Sequence, residues 1–187
     1  MKKISVFNHV TIDSFFAGPN GEIDWFQTLH DDEWNRYARE HADLSHNTLM
    51  FGHETYELMK SWWPTPVAMQ SDPHMAEVMN NSQKIVFSRR LRSAEDEPNW
   101  KNTRVFDRID QHEIQALKEK ENITILGSGT IVQQLANLGL IDEYSLVVVP
   151  IILGKGKPLF KSVAITNLML IELKAFTNGI ALLRYQA

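Results

Sequence analysis

The sequence contains no cysteine. A disulfide scaffold, thiol catalysis and a thiolate metal site are excluded together. It also has no excess of positive charge: 19 lysines and arginines face 23 aspartates and glutamates, for a net charge of -4. Nucleic acid is therefore not expected as the main partner, because phosphate contacts need clustered basic residues. A local cationic pocket remains compatible with that balance. Long apolar runs are missing too, and no window approaches the length needed to span a bilayer. The opening MKKISVFNHVTID is basic and then apolar, like a signal peptide. Asn8, His9 and Thr11 interrupt it, and no small-residue cleavage site follows. A buried first strand is the expectation, in a protein that works in the cytoplasm.

Other chemistries are excluded by missing patterns. There is no His-Glu-x-x-His, and His41 and His46 are five apart, off a common helix face. No metal is assigned. Gly-x-Ser-x-Gly around Ser128 is not satisfied either, which disfavours a hydrolase.

What is present suits one domain over 1–187: 187 residues, of which 43% are hydrophobic and 22% charged. Residues 3–11 read as a strand, and Gly18-Pro19-Asn20-Gly21 marks the loop 13–24. Asp31 and Asp32 open a helix carrying Trp34, Tyr37, Ala38 and Ala42. Strands follow at 48–51, 84–87, 103–106, 123–126 and 145–149. Helices are expected at 54–62, 73–81 and 110–120, the first stopped by Pro64 and Pro66. Another helix bears Ile131, Val132, Leu135 and Leu138, capped by Gly139. Residues 168–176 and 180–186 flank Thr177-Asn178-Gly179, a hairpin signal. The sum is an α/β fold: a mostly parallel central sheet flanked by helices, with a C-terminal antiparallel hairpin.

In such a sheet, ligands bind beyond the carboxyl ends of the strands. Three ends carry suitable chemistry. Gly52-His53-Glu54-Thr55 offers a helix N-terminus and a hydroxyl to a phosphate. Ser88-Arg89-Arg90 offers a hydroxyl and guanidinium groups that suit a 2′-phosphate and so select NADPH over NADH. Gly127-Ser128-Gly129-Thr130 offers a backbone that can approach a pyrophosphate. This last turn is not the Rossmann fingerprint, since Val132 stands where a third glycine belongs.

The order of motifs resembles the dihydrofolate reductase-like superfamily, and within it the C-terminal reductase domain of RibD. The matching pieces are Thr11-Ile12-Asp13 with Ala17-Gly18-Pro19-Asn20-Gly21 and Asp24-Trp25; Phe51-Gly52 with Glu54-Thr55-Tyr56; Val86-Phe87-Ser88-Arg89; Leu126-Gly127-Ser128-Gly129; Gly139-Leu140-Ile141-Asp142-Glu143-Tyr144; and Leu153-Gly154-Lys155-Gly156-Lys157-Pro158 with Leu159-Phe160. The resemblance implies an NADPH-dependent reductase of a small heterocycle, like the riboflavin-pathway 5-amino-6-(5-phosphoribosylamino)uracil reductase. It implies an NADPH site at the three strand ends, with Ala17 and Gly18 near the nicotinamide. It also implies a homodimer joined through the C-terminal strands. The sequence departs from the family at His53, where arginine is usual, and at Ser14, where glycine is usual. A non-catalytic dinucleotide-binding protein and a pterin reductase of the dihydrofolate reductase type are the alternatives.

Hydride transfer belongs to the cofactor, so the protein must orient a substrate and manage a proton. Asp32 matches the place of the dihydrofolate reductase carboxylate, and the other reading of it is an acid that complements the helix dipole. Asp13 is the second catalytic candidate, with loop shaping as its alternative. Asp24, Trp25 and Tyr56 are expected at the substrate. The basic loop 153–158 either covers a phosphorylated substrate or links two strands. The Ser88-Arg89-Arg90 reading predicts that Arg89→Ala abolishes any preference for NADPH over NADH. Parallel titrations with the two nucleotides check it, and an unaltered preference contradicts the assignment.

Overall fold

A computed structural model describes residues 2–25, 32–41, 44 and 46–187. Asp31 and Ala42, expected in the first helix, lie outside the described residues. In chain order the elements are β1 (Ile4–Thr11), β2 (Phe15–Ala17), α1 (Asp32–His41), β3 (Thr48–Gly52), α2 (His53–Trp62), α3 (Pro66–Ser71), α4 (Pro73–Asn81) and β4 (Lys84–Phe87). There follow β5 (Thr103–Phe106), α5 (Gln111–Lys120), β6 (Ile123–Leu126), α6 (Gly129–Asn137), β7 (Glu143–Val149), β8 (Lys157–Pro158), β9 (Met169–Ala175) and β10 (Ala181–Gln186). The chain forms two compact units, Met1–Lys2 with Asp43–Ser128, and Lys3–Ala42 with Gly129–Ala187. No helix among the described residues is long and apolar enough to cross a membrane.

In the first unit, four strands run parallel in the order β5-β4-β3-β6. Every residue of β4 and β6 is buried. Parallel strands covered on both faces read as unbroken apolar runs, which is how these stretches read in the sequence. Helices return the chain from β3 to β4 and from β5 to β6, whereas residues 88–102 link β4 to β5 without a helix.

Lys84 is the exception within β4. Its side chain is fully buried. Its ammonium donates to the carbonyls of Asn80 (3.1 Å), Ser82 (2.9 Å) and Lys101 (2.9 Å), and lies 4.5 Å from the centre of the Trp100 ring. The C-terminal end of α4 leaves carbonyls without helical partners, and the lysine supplies them. The same bonds tie α4 to the segment leading into β5. Burial pushes the Lys84 ammonium down to about 8, so it still carries its charge at neutral pH.

Prolines begin helices here as well as end them. Pro66 and Pro73 stand at the first turns of α3 and α4, behind Thr65 and Asp72, whose side chains accept from Ala68 N (3.2 Å) and Met75 N (3.0 Å). The sequence reading took Pro66 as a stop. The threonine before it is the N-cap that makes it a start.

In the second unit the order is β1-β7-β10-β9. β1 and β7 are parallel, and β10 runs antiparallel to both of its neighbours. The expected hairpin is present, and Gly179 takes the left-handed conformation its turn needs (φ +87°). Trp34 and Tyr37 from α1 pack with Val147, Phe176, Ile180 and Leu182. The Trp34 and Phe176 rings meet edge to face at 5.1 Å. Gly139 (φ +65°) closes α6, with Gly139 N donating to Ala136 O and Leu140 N to Leu135 O, each at 3.0 Å. Within stretches expected as loops, β2 pairs antiparallel with β8. Segments of three and two residues carry no periodicity, so this pairing has no local signature.

Lys84→Met should lower stability at pH 7 by about 2 kcal/mol, because buried carbonyls lose a charged donor. The folded-state value near 8 lies below the ordinary lysine value of 10.5. Between the two, the unfolded chain holds more protons than the native one, and stability rises with pH. The variant lacks this contribution, so urea melts across that window should show the wild type gaining on it.

Candidate functional site

Three strands of the first unit end side by side in the order β4-β3-β6, at the rim where ligands sit in open α/β sheets. Their ends carry Ser88, Gly52 and Gly127-Ser128. Gly52 is the N-cap of α2 (φ -84°, ψ 166°), with no side chain bonded to the helix end. The first turn of α2 therefore presents backbone N–H groups and the positive end of its dipole without a side-chain cap.

Side chains lace the three ends together. Gly52 N donates to Ser128 Oγ at 2.7 Å, and Ser128 N donates to Thr55 Oγ1 at 3.1 Å. Gly127 and Ser128 are both left-handed (φ +59° and +57°). A Cβ on Gly127 would stand 2.9 Å from Thr55 Cγ2. On the other side of β3, Ser88 Oγ lies 3.1 Å from His53 Nδ1. The same oxygen accepts from Arg90 N (3.1 Å) and Leu91 N (2.9 Å). Ser88 is buried, whereas Arg89 and Arg90 are exposed. Arg90 pairs with Glu54 at 3.0 Å, an exposed pair that contributes little to stability.

In the second unit, α6 starts at Gly129, and Thr130 is exposed. A Cβ on Gly129 would stand 2.5 Å from Phe16 Cε1. Both glycines of the Gly-x-Gly turn are thus required by neighbouring side chains, Thr55 for the first and Phe16 for the second. The sequence reading had attributed them to a phosphate alone.

Asp13 is held in a network. It accepts from Thr11 Oγ1 (2.6 Å), Leu153 N (3.2 Å) and Gly154 N (2.8 Å). The threonine hydroxyl, followed by these backbone donors, holds its carboxyl below the usual range. The basic loop is consequently fixed at 153–154 by Asp13 and at 157–158 by pairing with β2. Ala17 is buried, and Gly18 N donates to Glu22 O at 2.8 Å. A Cβ on Gly18 would stand 2.3 Å from Glu22 Oε2. Asp24 is exposed, and Trp25 Nε1 donates to Glu22 O at 3.2 Å. Asp32 is the exposed first residue of α1 and lines a surface hollow with Arg36, Arg39 and Glu40.

Tyr56, expected at the substrate, is 1% exposed and packs against Phe51 and Trp100 in the core. Sequence reading missed Glu22, which wraps the turn at Gly18, and both cross-braces of the rim. The partners in those braces are 35 and 73–76 residues apart, so only the strand order reveals them. Among the described residues, no group of three or more histidines, aspartates or glutamates is placed to hold a metal ion.

Residues 2–182 match the family model of the RibD C-terminal domain. The uncharacterized Bacillus subtilis protein YyaP is 26% identical over 179 residues, covering 94% of this chain and 90% of that protein. Among solved structures, a putative riboflavin biosynthesis protein from Shewanella sp. PV-4 superposes with a TM-score of 0.76 at 19% identity, covering 98% of each chain. Dihydrofolate reductase from Enterococcus faecalis, complexed with NADP(H), gives 0.63 at 16% identity, over 98% of this chain and 95% of that one. A diaminohydroxyphosphoribosylaminopyrimidine deaminase/5-amino-6-(5-phosphoribosylamino)uracil reductase from Thermotoga maritima gives 0.66 at 14% identity, over 99% of this chain and 56% of that one. The fold is that of dihydrofolate reductase.

The packing of Thr55 on Gly127 predicts that Gly127→Ala destabilises the chain by about 2 kcal/mol, from left-handed strain plus overlap. Adding Thr55→Ser removes the opposing methyl and should restore part of the loss in thermal melts. A single variant as stable as the wild type contradicts this account of the turn.

Proposed function

Because the chain belongs to the RibD C-terminal domain family, we propose that it is a cytoplasmic, NADPH-dependent reductase of a small heterocyclic compound. The observation that carries this reading is the row of three adjacent, cross-braced strand ends, two of which lead into helices. The donor set fits a dinucleotide. The first-turn N–H groups of α2 suit a pyrophosphate, with the glycine at 127 keeping side-chain bulk away from it. Arg89 with Arg90 suits a 2′-phosphate.

Bound NADPH would supply the hydride. The protein's part is to orient the substrate and to place a proton donor. Asp13 is committed to the 153–154 loop, which favours loop shaping as its role. Asp32 is exposed at the start of α1 and is the better candidate for contact with a polar ring. Lys155 and Lys157, on a loop anchored by Asp13, suit a phosphorylated substrate. A phosphoribosylaminouracil of the kind named for the Thermotoga maritima protein is the first compound to try.

We also propose that the protein is a homodimer joined through β9. Among the described residues, this strand pairs with β10 alone, on one side. It exposes Met169 (60%), Leu170 (48%), Ile171 (42%) and Leu173 (64%). An open edge with apolar side chains is a template for another strand, and a two-fold axis lets a second copy supply it.

Titrating NADPH and NADH against the fluorescence of the five tryptophans should give NADPH binding at least about tenfold tighter than NADH. Aminouracil and pteridine compounds are then screened for NADPH oxidation. Binding without turnover of any of them favours a non-catalytic dinucleotide-binding protein, and no binding refutes the reading. Light scattering should return twice the 21.5 kDa chain mass. An Ile171→Lys, Leu173→Lys variant should return the single mass; a wild-type monomer would refute the dimer.

A further inference from the structure

We infer that Ser88 is a positioning residue that fixes the ring of His53, and that His53 is thereby a neutral, outward-facing N–H donor to a nucleotide phosphate at the end of β3. This rests on the nucleotide-site reading above and deepens it, because it states how recognition works where the family usually has arginine.

The argument is a count of hydrogens. A serine oxygen has two lone pairs and one hydrogen. Arg90 N and Leu91 N, at 3.1 and 2.9 Å, occupy the two lone pairs of Ser88. The third neighbour, His53 Nδ1 at 3.1 Å, must then receive the hydroxyl hydrogen. A neutral imidazole that accepts at Nδ1 carries its own proton on Nε2. A proton on Nδ1 would direct three donors at an oxygen that accepts two. The ring is therefore anchored on the side of the β4 turn, and its remaining N–H points away from Ser88. His53 is partly exposed as the first residue of α2, next to the uncapped N–H groups of that helix.

Charged side chains adjoining this turn in the sequence are Glu54 on α2 and Arg89 and Arg90 after β4, and Arg90 is paired with Glu54. Thr55 and Ser128, from α2 and the end of β6, are uncharged. Ser88 is nearly inaccessible, at 5% exposure, with its hydroxyl committed on every side. It thus acts on a phosphate through His53 rather than by direct contact. Positive charge at this strand end is left to the two arginines, and His53 contributes direction.

Two measurements test this on the full-length chain. In ¹⁵N spectra of the nucleotide-free protein, at a pH where the ring is neutral, His53 should show an unprotonated Nδ1 and a protonated Nε2. Its signal is assigned by its loss in His53→Gln. In Ser88→Ala the two tautomers should mix. A wild-type ring protonated on Nδ1, or a spectrum unchanged by Ser88→Ala, overturns the inference. NADPH titration then separates anchoring from donation. Glutamine places an N–H near the Nε2 position, so His53→Gln should bind within about threefold of the wild type. Asparagine keeps an acceptor near the Nδ1 position but has no outward donor, so His53→Asn should lose about tenfold. Equal losses in both variants overturn the outward role. A wild type that binds neither dinucleotide overturns that role together with the nucleotide site, while the spectra still decide the Ser88–His53 arrangement.

Discussion

The bonds joining Gly52, Thr55 and Ser128 are the constraint on which the rim depends. They cross between the ends of two parallel strands, beyond the last residues of β3 and β6 that pair with each other. Ser128 adopts a left-handed conformation that costs about 1–2 kcal/mol in an L-residue. Two hydrogen bonds of about 1 kcal/mol each offset it. Without Gly127 the Thr55 methyl would have no room, and without Thr55 the Ser128 amide would lose its acceptor. The turn is therefore specified by three residue types at once, and its shape is fixed before any ligand arrives.

Much of this was readable from residue order. Buried parallel strands announce themselves as apolar runs, and those at 84–87 and 123–126 fall where the runs do. The Asn-Gly turn placed the final hairpin, and Gly139 ended its helix as left-handed glycines do. α2 ends at Trp62, ahead of Pro64 and Pro66 as expected, but α3 was missed because a proline at the first turn also begins a helix. β2 and β8 were missed because their pairing joins residues about 140 apart in the chain, beyond the reach of local pattern. Within the site, residue types were legible but partnerships were not. Ser88 reads as a phosphate ligand until its oxygen proves to be occupied. Tyr56 reads as a pocket wall until Trp100 donates to its hydroxyl at 3.1 Å inside the core.

The departures from the family pattern take on a different weight in this light. Histidine at 53 is matched by a buried hydroxyl at Ser88 whose hydrogen would lack an acceptor without it. Ser14 occupies the place of a usual glycine and keeps the positive φ (68°) that a glycine would supply. Its amide donates to Thr11 O at 2.9 Å, and its carbonyl accepts from Leu159 N at 3.2 Å. Two backbone bonds thus hold Ser14 in a conformation that L-residues rarely adopt.

The strand order of the second unit has a bearing on how the chain matures. β10 lies between β7 and β9, although it follows both in sequence. Until residues 181–186 take their place, β7 lacks one neighbour and β9 lacks the strand it pairs with. During that interval the Met169–Leu173 stretch is a free apolar segment, the kind of intermediate that other nascent chains can capture. Docking of β10 is the event that anchors this segment, so the rate at which β10 pairs sets how long it stays open to capture.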